Sequence, residues 1–178
     1  FMQLNQLDSA VESFKSAIDI FPDYTEAHNY LGIAFKRLNL LDKAAESYEN
    51  AIAIKIDFAD AHNNLGNVSK ELGKLNEAVH SYEKALIIKP NFAEALNNLG
   101  SVLKDLDQLD AAVENFKKAI IIRPKFVEAL YNLGTTLIDL GQIDDAIKSF
   151  KKAITIKPDY AEAQNNLGNA LKSLSRSY

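Results

Sequence analysis

Cysteine is absent from this 178-residue chain, so the protein has neither a disulfide nor a thiolate site. Long apolar runs are absent as well: the longest aliphatic stretches, such as residues 119–122, have four residues, whereas a transmembrane helix needs roughly 20. An excess of positive charge is also lacking, because the formal net charge is −4. Nucleic-acid binding depends on a basic surface, so we expect neither nucleic acid nor membrane among the partners.

Proline and glycine are scarce, with four and seven residues, and their spacing is the most informative feature of the chain. A period of 34 residues relates Gly32, Gly66, Gly100, Gly134 and Gly168. The same period relates Pro22, Pro90, Pro124 and Pro158, with Ile56 at the remaining position. A fixed period of this length is typical of stacked supersecondary units, none of which can bury its apolar face alone.

Each unit reads as two helices, because its apolar residues recur three and four positions apart. Between residues 93 and 126 they are Ala95, Leu96, Leu99, Val102, Leu103 and Leu106, followed after a break by Ala112, Val113, Phe116, Ala119 and Ile120. Asp110 is predicted to cap the second helix, and Pro124 to end it. The residues predicted as caps in the other units are Asp8, Asp42, Asn76 and Asp144.

This pattern predicts first helices at 25–38, 59–72, 93–106, 127–140 and 161–174. It predicts second helices at 8–21, 42–55, 76–89, 110–123 and 144–157. A glycine inside each first helix costs about 1 kcal/mol relative to alanine, so its recurrence indicates close helix approach. The expected partners on the second helices are alanines such as Ala112 and Ala119 and an aromatic residue, here Phe116.

The residues Leu99-Gly100, Ala112, Phe116, Ala119 and Pro124 resemble the tetratricopeptide repeat (TPR) pattern. The resemblance covers the whole chain and implies an all-α solenoid, a right-handed superhelix of antiparallel helix pairs. It divides residues 1–178 into a single array with a partial repeat (1–24), four full repeats (25–58, 59–92, 93–126 and 127–160) and a final, capping helix (161–178). Because Phe1 and Tyr178 fall in mid-unit, we expect the chain to be a fragment of a longer protein.

Two residues depart from the repeat. Ile56 replaces a proline, so the second helix before it is expected to run on or to end in a softer junction. Ser69 occupies a position that is otherwise Phe1, Phe35, Leu103, Leu137 or Leu171, which predicts a thinner core in that repeat.

Asparagines recur at two adjacent positions of the first helices, although asparagine is a mediocre helix former. They are Asn29, Asn63, Asn97 and Asn165 at one position, and Asn64, Asn98, Asn132 and Asn166 at the next. Both sets are candidate peptide-binding residues of the groove. The second set resembles the asparagine ladder in the TPR domain of O-linked N-acetylglucosamine transferases, which implies that amides in the concave groove bind the backbone of an extended peptide. The alternative is that these asparagines bond between neighbouring repeats or record duplication of the unit.

Charges flank these asparagines. Acidic residues lie near the start of the first helices, and Lys36, Lys70 and Lys104 lie near their ends. Compensation of the helix dipole explains the arrangement without a ligand. The alternative, which makes the three lysines groove residues, is a groove with an acidic and a basic edge that orients its partner.

No nucleophile elbow, phosphate loop or Ser/His/Asp set is present, so we expect no enzyme, metal or cofactor in this segment, and any catalysis in a domain outside it. The pair His28 and His62 is interpreted as repeat packing rather than as a metal site. The predicted function is a cytoplasmic protein-interaction scaffold that binds an extended peptide or a partner helix. The alternative is self-association through terminal apolar residues, namely Leu4, Leu7, Leu171 and Leu174.

Overall fold

A computed structural model describes residues 2–175, with side chains from residue 6 onward. Phe1, which is assigned a position in the repeat, lies outside the described residues. The side chain of Leu4 lies outside them as well. Residues 2–175 form ten α-helices and no β-strand. The chain divides into two compact units at Pro90–Asn91.

Unit 1 contains five helices, and each packs against the next along the chain. They are α1 (Met2–Ile20), α2 (Thr25–Arg37), α3 (Leu41–Ile54), α4 (Ala59–Glu71) and α5 (Leu75–Ile88). Contacts also join α2 to α4, so these first helices of successive repeats lie side by side. Unit 1 is therefore a stack of helix pairs.

Unit 2 repeats this arrangement. Its helices are α6 (Ala93–Asp105), α7 (Leu109–Ile122), α8 (Val127–Asp139), α9 (Ile143–Ile156) and α10 (Ala161–Leu174). Consecutive helices pack together, and α8 also contacts α6 and α10. All nine helices after α1 begin and end within one residue of the positions that the sequence predicts.

The prediction for α1 is wrong, because this helix begins at Met2 and passes through Asp8 without a turn. In the other repeats a turn returns the chain against a complete first helix. Here residues 2–7 continue α1 in the N-terminal direction, and helical hydrogen bonding satisfies their backbone.

The predicted capping role of the acidic residues is also wrong. The residues that precede the second helices are Leu40, Lys74, Gln108 and Gln142, and none of them makes a side-chain capping hydrogen bond. Asp42, Asn76, Asp110 and Asp144 are the second helical residues instead. There, the three aspartates stabilise the helix through its positive N-terminal dipole.

The turn inside each repeat is set by one residue in the left-handed conformation. These residues are Asn39 (φ 58°), Gly73 (φ 76°), Asp107 (φ 60°) and Gly141 (φ 73°). The amide that follows each of them donates back across the helix end, as in the Leu40 N–H bond to the Phe35 carbonyl of 2.9 Å. This is the Schellman arrangement, which satisfies the last carbonyls of the first helix.

The close helix approach predicted from the glycines is confirmed. A Cβ atom added to Gly100 would lie 2.8 Å from Cε1 of Phe116, and the same clash would occur at Gly32, Gly66 and Gly134. The facing alanines, including Ala112 and Ala119, are completely buried. In α1 the equivalent residues Ala10, Phe14 and Ala17 are only half-buried, because no first helix precedes them in the described chain.

Ile56 does not lengthen the helix before it. Helix α3 ends at Ile54, the position at which α5, α7 and α9 end at Ile88, Ile122 and Ile156. The Lys55 amide donates to Ala51 as its counterparts do, so the junction is set without proline. Ser69 is buried at 5% exposure, in a position where Phe35 and Leu137 contribute much larger side chains.

Candidate functional site

The candidate site lies between the neighbouring first helices of unit 1. A cavity of about 390 Å³ opens there, and its lining comes from α2, α4 and the residue before α4. We call it the α2/α4 groove; it is lined by Glu26, Asn29, Tyr30, Ile33, Phe58, Asp60 and Asn64. Two predicted site residues, Asn29 and Asn64, are therefore brought together in one cavity.

The asparagines bond between neighbouring repeats. Nδ2 of Asn64 donates to Oδ1 of Asn29 over 3.1 Å in unit 1, and Asn132 donates to Asn97 over 3.0 Å in unit 2. Asn166 makes the equivalent bond, 3.1 Å long, to the hydroxyl of Tyr131. The bonds between repeats that formed the alternative interpretation are thus present in each of these pairs.

These bonds use only part of each amide. An asparagine side chain has two N–H donors and an oxygen that accepts two hydrogen bonds, and the Asn64–Asn29 contact uses one donor and one acceptor site. Asn29 is 6% exposed, yet it lines the cavity, and its Nδ2 makes no hydrogen bond to any residue that the structure describes. Donor capacity therefore remains inside the α2/α4 groove.

The other predicted asparagines differ in their surroundings. Asn63 in unit 1 and Asn98 in unit 2 both have interaction partners, whereas Asn165 is solvent-exposed. Of these, Asn63 is buried at 7% exposure, close to the 6% of Asn29 at the equivalent position.

The lysines at the ends of the first helices connect repeats. Nζ of Lys36 lies 2.9 Å from Oε1 of Glu71, and Nζ of Lys104 lies 3.0 Å from Oδ2 of Asp139. Each pair joins one first helix to the next in the same unit, and Lys70 also has an interaction partner. Half-exposed ion pairs of this kind contribute little stability, so orientation of neighbouring helices is their clearest role.

At the opposite ends of the first helices, the carboxylates have different surroundings. In unit 2, Arg123 forms an ion pair with Glu94, and its guanidinium lies 4.4 Å from the ring centroid of Phe126. In the α2/α4 groove, Glu26 and Asp60 form no ion pair with any described residue. Both are exposed, and each is in the first turn of its helix.

In unit 2, tyrosines occupy part of the corresponding surface of the first helices. Tyr131 occupies the position of Asn29 and packs against Tyr160 at a centroid distance of 5.1 Å. Partial burial, with smaller contributions from Tyr131 and from the Glu162 and Glu128 carboxylates, raises the pKa of Tyr160. Between α8 and α10 the Asn166–Tyr131 bond therefore replaces an asparagine pair, and Tyr131 and Tyr160 form an aromatic cluster there.

His28 and His62 have structural roles. Nε2 of His28 donates to the Pro22 carbonyl over 2.8 Å, and Nε2 of His62 donates to the Ile56 carbonyl over 3.0 Å. Since a carbonyl only accepts, both rings carry their proton on Nε2. This confirms the interpretation as repeat packing.

Sequence reasoning missed Ile33 and Phe58 as groove residues. Phe58 belongs to an aromatic position immediately before each first helix, shared by Tyr24, Phe92, Phe126 and Tyr160. The repeat period itself could have identified this position. Ile33 has no such signal, because Asn67, Ser101, Thr135 and Asn169 occupy its place elsewhere.

Within residues 2–175, no helix is both long enough and apolar enough to cross a bilayer. No group of three or more metal-binding side chains occurs among the described residues.

Comparison with known proteins identifies the class. The TPR repeat model matches residues 1–39, 37–73, 66–107, 100–137 and 134–175, and the chain therefore belongs to the TPR family. Its fold class is all-α, a solenoid of TPR helix pairs, as predicted. Proteins of this family act as scaffolds for protein–protein interaction and are generally not enzymes.

Several solved structures are similar to this one. MamA is 26% identical, with a TM-score of 0.80 over 89% of this chain and 92% of that chain. YrrB, described as a TPR protein with an unusual peptide-binding site, is 25% identical, with a TM-score of 0.79 over 93% of this chain and 85% of that chain. The APC/C hetero-tetramer Cut9–Hcn1 is 20% identical at a TM-score of 0.83, covering 96% of this chain and 34% of that chain, which shows the fold alone. No curated protein matches the sequence.

Proposed function

We propose that this protein is an interaction scaffold whose first helices bind an extended segment of a partner protein through their asparagines. The observation that carries the proposal is the Asn64–Asn29 pair, which lines the α2/α4 groove and retains unused donor and acceptor capacity. The similarity to YrrB, described as having a peptide-binding site, supports it.

The geometry of an extended chain suits this arrangement. Neighbouring helices lie about 8–10 Å apart, and an extended chain advances about 3.3 Å per residue. An asparagine from each repeat would then meet the partner backbone at roughly every third residue. The bonds between repeats support this role, because they fix the amides before a partner arrives and so lower the entropic cost of binding.

Backbone contacts alone would bind weakly. Each hydrogen bond contributes about 1 kcal/mol net, while ordering each residue of a flexible partner costs on the order of 1–2 kcal/mol. Side-chain contacts, such as those available at Tyr30 and Phe58, must therefore supply part of the affinity.

The test is peptide-array binding by the native chain and by the Asn64→Ala variant. We expect Asn64→Ala to lower binding to most peptides, because a backbone contact is shared by all sequences. Asn67→Ala is the matched control on the same helix, since Oδ1 of Asn67 accepts a 2.8 Å bond from the Tyr82 hydroxyl. Equal binding by the native chain and Asn64→Ala, with only stability reduced, would leave the asparagines with a structural role.

A second candidate function is self-association. Ile20 and Phe21 are 69% and 66% exposed at one edge of unit 1, and Leu171 on α10 is 44% exposed, although Phe35 and Leu137 are buried at its position. Leu7 and Leu174, also predicted to contribute, are half-buried. Sedimentation equilibrium tests this candidate: a mass that rises with concentration favours it, and a constant monomer mass excludes it.

The cytoplasmic location remains a prediction that fractionation of cells producing the protein would test. Catalysis is assigned to no residue of this segment.

A further inference from the structure

The lining of the α2/α4 groove carries negative charge that no basic lining residue balances. Two of its lining residues, Glu26 and Asp60, are carboxylates, and none of the others is basic. Neither carboxylate has an ion-pair partner in the part of the chain that the structure describes. The groove is therefore complementary to a cation.

Unit 2 shows which cation the chain itself places at such a carboxylate. Glu94 is equivalent to Glu26 two periods later, and Arg123 forms an ion pair with it. The same guanidinium lies over the Phe126 ring, so a carboxylate and an aromatic face hold it together.

In unit 1 the chain does not supply this guanidinium. The residue equivalent to Arg123 is Lys55, whose Nζ lies 5.7 Å from the ring centroid of Phe58 and forms no ion pair with Glu26. An ammonium is a compact, strongly hydrated charge, whereas the planar guanidinium can satisfy a carboxylate and a ring at once. Because Lys55 stands where unit 2 has Arg123, the Glu26 carboxylate forms no ion pair with a described residue.

The groove also offers the other contacts that an arginine needs. Tyr30 is 52% exposed, and its ring stacks on Phe14 at a centroid distance of 5.7 Å, so the ring is held in place. Ile33 provides an apolar surface for the aliphatic stem. The Asn29 amide, in a side chain that is 6% exposed, remains a donor for a neighbouring carbonyl.

We propose that the α2/α4 groove recognises an arginine side chain carried by an extended partner segment. The guanidinium binds between Glu26 and Asp60 against Tyr30, and the adjacent partner backbone bonds to Asn29 and Asn64. This inference rests on the proposed function, because it assumes that an extended segment follows the first helices.

The test uses an array of acetylated octapeptides of mixed Ala, Gly and Ser, in which one position is fixed in turn as Arg, Lys, citrulline or Glu. Citrulline keeps the shape of arginine without its charge. We expect Arg-fixed peptides to bind the native chain about fivefold better than citrulline-fixed peptides, and this ratio to fall with added salt.

Two variants should abolish the preference by different routes. Glu26→Gln removes the charge, and Lys55→Arg supplies an internal guanidinium that reaches Glu26 as Arg123 reaches Glu94. Glu128→Gln, on α8 of unit 2 and three periods after Glu26, is the control that should keep the preference. Circular dichroism checks that each variant is as helical as the native chain.

An Arg preference that survives Glu26→Gln and Lys55→Arg would overturn the inference, as would equal binding of Lys-fixed and Arg-fixed peptides. Uniform binding that ignores the fixed residue and is lost in Asn64→Ala would overturn the arginine site while supporting the proposed function. Binding to no peptide would overturn both.

Discussion

At the scale of single residues, replacing the glycine inside a first helix has two opposing effects on stability. In an exposed helix, Gly→Ala stabilises by about 1 kcal/mol through backbone entropy. At Gly100 the added Cβ would lie 2.8 Å from the Phe116 ring, which is completely buried and cannot move aside. We expect Gly100→Ala to destabilise, and Gly100→Val to cost roughly 1–3 kcal/mol, in urea unfolding.

Gly168 is the matched control for this prediction. It has the same position in α10, but no described atom beyond its own helix backbone and chain neighbours lies within 4 Å of an added Cβ. Gly168→Ala should therefore keep or raise the urea midpoint. If both alanine variants shift the midpoint in the same direction, the aromatic contact does not explain why glycine occupies this position.

The buried tyrosines predict a loss of stability in alkali. Burial, assisted by the nearby Glu71 carboxylate, raises the pKa of Tyr48 and Tyr82 well above the usual value of about 10. A raised pKa in the folded state contributes stability that is complete below about pH 10 and is lost as the pH rises from there towards the folded-state pKa.

Tyr48→Phe should make this loss shallower, because Phe116 and Phe150 occupy the same position without an ionisable group. The measurement is the free energy of unfolding in urea at a series of pH values above and below 10. Identical slopes for Tyr48→Phe and the native chain would show that Tyr48 does not remain protonated in the folded state.

At the scale of helices and turns, the left-handed residues decide where each first helix ends. Gly73 and Gly141 adopt positive φ without strain, whereas Asn39 and Asp107 have side chains that disfavour it. We expect Asn39→Gly and Asp107→Gly to stabilise by about 0.5–1 kcal/mol each.

Asp107→Gly should give the larger gain, because it also removes a negative charge from the C-terminal end of α6, where the helix dipole is unfavourable to anions. Gly73→Ala is the reverse experiment: no neighbouring atom of the described residues lies within 4 Å of an added Cβ, so its cost comes from backbone conformation alone. Thermal unfolding checks the order, and a gain at Asn39 exceeding that at Asp107 would contradict the dipole argument.

These turns also explain how accurately the sequence predicts the helix boundaries. The hydrophobic period and the prolines place nine helices to within one residue, because each helix buries a face that recurs in every unit. The capping prediction fails by two residues, since the N-cap positions are Leu40 and Gln108, next to the Schellman turn, rather than Asp42 and Asp110. The error at α1 arises because residues 2–7 continue the helix through Asp8, where the other repeats have a turn.

The site could be predicted only in part for a related reason. Asn29 and Asn64 stand out by recurrence, but their bond depends on how far neighbouring helices are offset, which no local pattern records. The same holds for the ion pair of Lys36 with Glu71. The difference between Glu26 and Glu94 is visible only when Arg123 and Lys55 are compared in three dimensions.

At the scale of the whole molecule, the contacts within each unit link only neighbours. Each helix there touches helices one or two places away along the chain. Stability in such an arrangement is approximately a sum of repeat and neighbour terms, so damage to one repeat should open its neighbours rather than the whole chain.

Gly134→Val tests this locality. An added Cβ at Gly134 would lie 2.5 Å from Cε1 of Phe150, so the substitution separates α8 from α9. In native-state hydrogen exchange we expect faster exchange in α8, α9 and α10 and unchanged exchange in α2 and α3 of unit 1. Because these helices are far apart in the sequence, uniform acceleration along the chain would mean that the protein unfolds as one cooperative body. A local response would instead mean that a partner bound at the α2/α4 groove stabilises unit 1 in particular, and that its binding should survive Gly134→Val.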